Sequence, residues 1–315
     1  MANYNNLSTL SGLKVGDVVT YNTQTTIDFK KYKVRITLNG IGYNSSRGGG
    51  LTQLDLDGTK LPAQTLTYTP LYGTSLCYGS SADMYYRIAV AGNCGYYSNS
   101  SCGKGGGTTG GKGDNGSNVS SVGGAAGGGG GGTQTSGGSG GSGISGGLPG
   151  TTHTSGITGS FGRNSKTYTA SGIDRYNYFM AGWYSGGTGG DASYGSYPNY
   201  YSSTGGDGGG SGFVIGQSTT TYPSGYMGNN NTIINAIISG ISNASLTQGT
   251  STAYYTSHLN LPTTGYMTVE ILELPPVTGP KYYNGSAWID TTVKRYNGSA
   301  WEDVAMKYYN GSSWQ

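Results

Sequence analysis

Charged residues are scarce in this chain. Asp, Glu, Lys and Arg together make up 10% of its 315 residues, and the formal net charge is +3. The basic residues are scattered, whereas binding to the phosphates of a nucleic acid needs them clustered on one face. Leu, Ile, Val and Phe occupy only 48 positions, which would indicate disorder in a highly charged chain, but here charge repulsion is weak. We therefore expect an ordered protein that does not bind nucleic acid.

Groups that perform catalysis or bind metals are equally scarce. The chain has 2 histidines and 3 cysteines without zinc-like spacing, and no glutamate precedes Glu270. A glycan hydrolase needs two carboxylates held about 5–10 Å apart. In the central region, Asp191 and Asp207 are the one pair that suggests this chemistry, and both lie in glycine tracts that favour solvated turns. We expect no enzymatic activity, no cofactor and no metal site.

Segments that direct a chain to or across a membrane are also missing from the sequence. Residues 1–6 have neither the basic nor the apolar region of a secretory signal. The most apolar stretch, 233–241, is about nine residues long and is interrupted by polar residues, which is too short to span a bilayer. We expect synthesis in a cytoplasm and no insertion into a membrane.

Glycine is the most conspicuous residue that the chain does contain, with 62 positions. Residues 103–150 include 24 glycines, a composition that ordinarily indicates a flexible linker. Aromatic residues such as Trp183 and Tyr184 interrupt the glycine runs, however, and strand patterns resume afterwards. Polyproline II geometry offers an ordered alternative, because its backbone N–H and C=O groups point outward and can bond to neighbouring glycine helices. We predict a bundle of polyglycine II helices over 93–212.

Strand patterns lie on both sides of the glycine region. Apolar and polar residues alternate over 33–38 and 51–56, and further strands are predicted over 85–90, 211–216 and 266–272. The predicted fold is all-β, a jelly-roll-like β-sandwich built from 28–92 and 213–274. Residues 1–27 are assigned to an N-terminal attachment segment.

The C-terminal part of the chain contains an internal repeat. Pro275, Pro276 and Pro280 predict a stiff linker over 275–280. Beyond it, a Tyr-Asn-Gly-Ser unit that ends in tryptophan occurs three times within 281–315, with a period of thirteen residues. Asn-Gly is a strong signal for a two-residue hairpin turn, so we predict three small β-hairpins with an aromatic residue on each side of the turn.

Five stretches carry a resemblance to a known family. They are 87–92, 131–138, 182–187, 208–214 and 265–271. Over roughly 28–274 the chain resembles the glycine-rich domain of tail and adhesin proteins from phages and prophages of Gram-positive bacteria. That domain is also similar to one in the extracellular part of the anaplastic lymphoma kinase receptor. The resemblance implies a β-sandwich combined with polyglycine II helices, as in tail-fibre tip adhesins of phages.

The resemblance leads us to expect a virion protein of a phage, with a tail or fibre adhesin that attaches to the bacterial host as the first hypothesis. Expected partners are other tail or fibre proteins and a carbohydrate or protein of the bacterial surface, with a homotrimer as a candidate assembly. A structural or decoration protein of the virion that binds no receptor is the alternative. A hydrolase of cell-wall or capsule sugars ranks third.

Tyrosine-rich loops are the first candidates for the ligand site. The segment 174–202 combines tyrosines with Gly, Ser, Asn and Pro, a composition typical of exposed binding loops. Packing against the glycine bundle is the competing interpretation of these tyrosines, and the C-terminal tryptophans are the second candidates. The predicted ligand-binding residues are Tyr176, Tyr178, Tyr194, Tyr197, Tyr200, Tyr201, Trp288, Trp301 and Trp314.

Overall fold

The computed structural model divides the chain into two compact units, Met1–Leu274 and Pro275–Gln315. It describes residues 2–29, 32–41, 48–62, 65–70, 73–95, 103–115, 125, 127–142, 182–184, 186, 191–194, 201–204, 208–217, 222–249, 265–275, 281–283, 286, 288–290 and 293–304. These residues are mostly β-sheet, with one α-helix and no barrel among them, in agreement with the predicted all-β class.

Among the described residues, the first unit has thirteen strands and the helix α1, Asn231–Ser239, and the second unit has four strands. In chain order the strands are β1 (Asn3–Asn5), β2 (Val18–Tyr21), β3 (Thr25–Asp28), β4 (Lys33–Asn39), β5 (Leu51–Asp57), β6 (Thr65–Thr69), β7 (Thr74–Tyr78), β8 (Arg87–Ala91), β9 (Asp191–Tyr194), β10 (Tyr201–Thr204), β11 (Phe213–Val214), β12 (Ile241–Thr247), β13 (Tyr266–Glu273), β14 (Lys281–Tyr283), β15 (Trp288–Asp290), β16 (Val293–Tyr296) and β17 (Trp301–Val304).

One sheet of the first unit has six strands in the order β1-β2-β13-β4-β5-β12. The closing strand β13 lies between β2 and β4, so that Val269 is opposite Val19 on one side and Ile36 on the other. Alternation along β4 explains this packing, because Val34, Ile36 and every second residue face the core while the residues between them are partly exposed. β1 is parallel to β2, and the other pairings are antiparallel.

The second sheet has five antiparallel strands in the order β11-β8-β7-β6-β3. Its apolar residues and those of the six-stranded sheet belong to a single buried cluster. Tyr21 on β2 and Tyr68 on β6 lie in this cluster with ring centroids 6.3 Å apart. The hydroxyl of Tyr68 donates to the carbonyl oxygen of Gly265, the residue before β13, at 2.8 Å. The two sheets therefore share one core.

The N-terminal residues take part in both sheets. β2 pairs with β13 and β3 pairs with β6, and Leu10, Val19 and Ile27 are fully buried. The segment 1–27, which we assigned to attachment, thus contributes strands and several buried residues to the fold of the first unit.

The apolar stretch near residue 235 forms the helix α1. Its N-terminus is capped by Asn230, whose side-chain oxygen accepts from the backbone N–H groups of Thr232 and Ile233. Ile234 and Ile237 are buried, as expected for residues three apart on one helical face. Helices in the described part of the chain are all too short or too polar to cross a membrane.

Candidate functional site

Five stretches of the first unit, which we call the glycine segments, bond to one another through the main chain. They are residues 92–95, 103–113, 127–132, 182–184 and 208–212, and they lie outside the helices and strands. Within 209–212, four consecutive N–H groups donate to carbonyl groups in three of the other glycine segments. These bonds run from Gly209 to Gly111 (2.9 Å), from Gly210 to Asn93 (2.9 Å), from Ser211 to Tyr184 (3.0 Å) and from Gly212 to Gly107 (2.8 Å).

The carbonyl groups of the same stretch accept from further neighbours. Gly209 accepts from Gly132 at 3.0 Å, and Gly210 accepts from Gly106 at 2.8 Å. In a β-sheet, the main-chain groups of a strand point to two opposite sides. Here they point in several directions around the axis of the stretch, so that 208–212 is surrounded by the other glycine segments.

The glycine segments approach one another too closely for side chains. A Cβ atom on Gly131 would overlap the carbonyl oxygen of Gly110, and one on Gly208 would overlap that of Gly130. Both neighbours are backbone atoms, which cannot move aside as the end of a flexible side chain can. Glycine is therefore required at these positions by backbone contact.

Trp183 attaches the glycine segments to the side-chain core. It is fully buried and stacks on Phe213 of β11, with ring centroids 3.7 Å apart and planes 7° from parallel. Tyr226 meets the same indole edge-on at a centroid distance of 5.6 Å. Aromatic pairs in these geometries contribute about 0.5–1.5 kcal/mol beyond their burial. Trp183 thus supports the prediction that the region around it is ordered.

A buried arginine completes this contact. The guanidinium of Arg87 lies 5.1 Å from the ring centre of Trp183 and donates to the carbonyl oxygens of Gly182 at 2.7 Å and Trp183 at 3.2 Å. The hydroxyl of Tyr226 donates to the carbonyl oxygen of Arg87 at 2.6 Å. Burial lowers the pKa of Arg87 to about 10, so the side chain remains charged at neutral pH.

The role of Arg87 was not predicted from the sequence, in which this residue was only part of a predicted strand. It is a charged residue directly beside the apolar run 88–91. Such an isolated charge was the available signal, because a fully buried arginine needs carbonyl or acidic partners.

The strands β9 and β10 form a hairpin that leaves the glycine segments and returns to them. Asp191 is opposite Thr204, and Tyr194 is opposite Tyr201 next to the connecting loop. Before the hairpin, Gly186 packs so tightly on Gly208 that a Cβ atom would overlap the carbonyl oxygen of the latter. The backbone is therefore fixed on both sides of the hairpin.

Two of the predicted tyrosines, Tyr194 and Tyr201, are thereby brought together as cross-strand neighbours in the backbone pairing. Tyr176, Tyr178, Tyr197 and Tyr200 lie outside the described residues. Asp207, the second member of the suggested carboxylate pair, also lies outside them, as do both histidines.

The second unit contains two hairpins with equivalent pairing. Tyr283 is opposite Trp288 in β14–β15, and Tyr296 is opposite Trp301 in β16–β17. Tyr296 is 54% exposed and Trp301 is 67% exposed, with their ring centroids 5.4 Å apart. Trp314, in the third repeat, lies outside the described residues.

Polar side chains on the six-stranded sheet hydrogen-bond to one another. No three His, Cys, Asp or Glu side chains in the described part of the chain come close enough to hold a metal ion. Arg35 donates to both carboxylate oxygens of Asp55, and Asn243 donates to one of them at 2.7 Å. Burial acts to raise the pKa of Asp55, but these hydrogen bonds hold it below its ordinary value.

The cysteines in the described residues are not suited to redox or nucleophilic chemistry. Cys77 and Cys94 are both buried and form no disulfide. Burial raises the pKa of the Cys77 thiol to about 12, which keeps it protonated at neutral pH.

Comparison of the chain with protein-family models, with curated proteins and with solved structures found no match.

Proposed function

We propose that the protein is a virion component of a phage, a tail or fibre adhesin in which a rigid glycine scaffold presents an aromatic loop to the bacterial surface. The observation that carries the proposal is the anchoring of the β9–β10 hairpin. Gly186 and Gly208, which flank the hairpin, are in backbone contact, and 208–212 bonds to several other glycine segments.

The scaffold in this proposal is a jelly-roll-like β-sandwich joined to a bundle of polyglycine II helices. The common core of the two sheets supports the sandwich. Successive main-chain bonds to different neighbours support polyglycine II, because that helix has three residues per turn and bonds only to its neighbours. Close backbone packing of Gly131 and Gly208 is also expected of such a bundle.

In a scaffold of this kind, we expect the loops rather than the glycine segments to contact the ligand. Glycine has no side chain with which to distinguish a ligand, whereas tyrosine offers a flat apolar face and a polar tip with little rotamer freedom to lose. The hairpin pairs Tyr194 with Tyr201 beside the loop 195–200, which contains Tyr197 and Tyr200. We place contact with a carbohydrate or protein of the host surface at this loop.

Binding of the labelled full-length protein to a panel of Gram-positive cells tests the proposal. We expect saturable binding to some strains, and we expect the protein to block phage adsorption to those strains. The variant Tyr197→Ala/Tyr200→Ala/Tyr201→Ala should lose about 10-fold or more in affinity, since aromatic residues dominate binding energies. The matched variant with phenylalanine at the same positions keeps the ring faces and should retain most of the affinity.

Two results would count against this assignment. Absence of binding to every strain, with the protein nevertheless present in purified virions, would favour a structural or decoration protein. Unchanged cell binding by a folded alanine variant would remove the loop from the binding site.

A further inference from the structure

The exposed aromatic pair of the second unit points to a ligand of its own. Tyr296 and Trp301 lie side by side on the β16–β17 hairpin with more than half of each side chain exposed. Two exposed aromatic rings in contact form a contiguous apolar face, and such a face is typical of an interaction site.

The repeated tyrosine–tryptophan pairing indicates a polymeric ligand. The register that pairs Tyr296 with Trp301 is found again thirteen residues earlier, where Tyr283 is opposite Trp288. The third repeat has the same sequence pattern, with Tyr309 and Trp314. A surface that is repeated along the chain matches a ligand that is itself built of repeated units.

The net charge of the C-terminal module indicates whether that ligand is charged or neutral. Residues 281–315 contain four basic and three acidic residues, so the module has almost no net charge. On the β16–β17 hairpin, Glu302 accepts hydrogen bonds from Arg295 and Asn297, and Lys294 is opposite Asp303, so two acidic residues balance the two basic ones. An anionic polymer would find no cluster of free cations on this hairpin, whereas the apolar face of a neutral sugar ring fits an exposed indole.

We propose that the hairpins β14–β15 and β16–β17 each bind one unit of a neutral polysaccharide through their tyrosine–tryptophan pair, so that the module is a multivalent glycan-binding element. The proposed function is needed only to place the polysaccharide on the surface of a bacterial host. Binding of the polysaccharide itself does not depend on it. Binding through several weak, linked sites exceeds the affinity of one site by about 10²-fold or more. Long chains should therefore bind far more tightly than their short fragments.

Quenching of tryptophan fluorescence by iodide tests the inference without any substitution in the module. The protein has 4 tryptophans, and Trp183 is fully buried, so the quenching reports on the C-terminal three. The full chain, carrying Tyr197→Ala/Tyr200→Ala/Tyr201→Ala to silence the proposed loop site, is titrated with dextran, mannan, galactomannan and mixed-linkage β-glucan. Hyaluronate and a cationic dextran derivative serve as charged controls.

We expect at least one neutral polysaccharide to protect the tryptophans from iodide and to retard the protein in a native affinity gel. In the gel, Trp301→Ala should weaken the apparent affinity about tenfold and the triple Trp288→Ala/Trp301→Ala/Trp314→Ala variant more strongly. Trp301→Phe, which keeps a ring next to Tyr296, should lose less and controls for collapse of the hairpin.

Three results would overturn the inference. They are absence of protection by every neutral polysaccharide, protection by the charged polymers alone, and a tryptophan-dependent self-association in sedimentation that assigns the surface to a second copy of the chain. Failure of the loop proposal is separately visible as unchanged cell binding when the loop substitutions are added to the triple Trp288→Ala/Trp301→Ala/Trp314→Ala variant, in which the C-terminal site is already removed.

Discussion

The backbone is stabilised by different interactions in the two sheets and in the glycine segments. In the sheets, residues such as Ile36 and Val269 are fully buried, and the apolar area removed from water contributes about 25 cal/mol per Å². Apart from Trp183 and a few smaller residues, the glycine segments have few side chains to bury. Their order depends on main-chain hydrogen bonds, each contributing about 1 kcal/mol net, against the high conformational entropy of glycine.

This difference determines which changes each region tolerates. A side-chain core loses stability when a side chain becomes smaller, because a cavity remains. A backbone-packed region loses stability when any side chain is added, because the neighbouring carbonyl groups cannot retreat. The same protein should therefore respond in opposite ways to the same change in side-chain volume.

The largest effect is expected where the two regions meet. Trp183→Ala removes the ring that stacks on Phe213 and lies over Arg87, and should lower the free energy of unfolding by about 4 kcal/mol. Chemical denaturation of the full chain measures the loss. Trp183→Phe keeps a stacked ring and removes an indole N–H that has no hydrogen-bond partner in the described part of the chain, so its cost should be much smaller. Equal losses in the two variants would contradict the stacking argument.

Adding one methyl group to the glycine segments should have the next largest effect. We expect Gly131→Ala to cost about 3 kcal/mol, since the new Cβ overlaps the carbonyl oxygen of Gly110. Gly212→Ala is the matched control, because its Cβ would lie 3.2 Å from the nearest atom, the carbonyl oxygen of Gly107. The control should cost about 1 kcal/mol, because the neighbouring oxygen needs to shift by only a few tenths of an ångström. If both variants melt like the unchanged protein, the glycine segments are not closely packed.

Trimming the side-chain core by one methylene should have a smaller effect. Ile36→Val leaves a small cavity between β4 and β13 and should cost about 1 kcal/mol. Thermal or chemical unfolding gives the value. A cost as large as that of Gly131→Ala would remove the contrast between the two kinds of packing.

The smallest effect concerns charge on the six-stranded sheet. The pKa of Asp55 is held below its unfolded value, so its contribution to stability is present above about pH 4 and is lost as the pH falls through the folded pKa. Asp55→Asn should cost about 1 kcal/mol or less at pH 7, because Arg35 is partly exposed. The difference from the unchanged protein should vanish near pH 2. A cost that does not change between pH 7 and pH 2 would contradict this assignment.

The sequence predicted the strongly alternating strands well. The patterns at 33–38, 51–56 and 266–272 correspond to β4, β5 and β13 within one residue at each end. Short strands rich in Thr and Ser, such as β3 and β6, were missed because their apolar positions are too few to show a period. The insertion of β13 between β2 and β4 depends on contacts between distant parts of the chain, which local patterns do not encode.

The candidate site was predictable only in part. Trp183 indicated order because linkers avoid large aromatic residues, and the structure places it in the core. The partnership of Trp183 with Arg87 joins residues 96 positions apart and has no local signature. The hairpin predicted at Asn297 and Gly298 is present as β16–β17 with an aromatic residue on each side of the turn, but its connection has four residues, 297–300, rather than the two that were predicted. The side-chain oxygen of Asn297 accepts from the N–H groups of Ser299 and Ala300, which favours the longer turn.

Residue-resolved hydrogen exchange of the glycine amides measures whether main-chain bonds order the glycine segments as firmly as side-chain burial orders the sheets. The amides of Gly209, Gly210 and Gly212, which donate at 2.8–2.9 Å, should exchange as slowly as that of Val269 in β13. Exchange of these glycine amides at the rate of an unstructured peptide, while Val269 stays protected, would contradict such ordering by main-chain bonds.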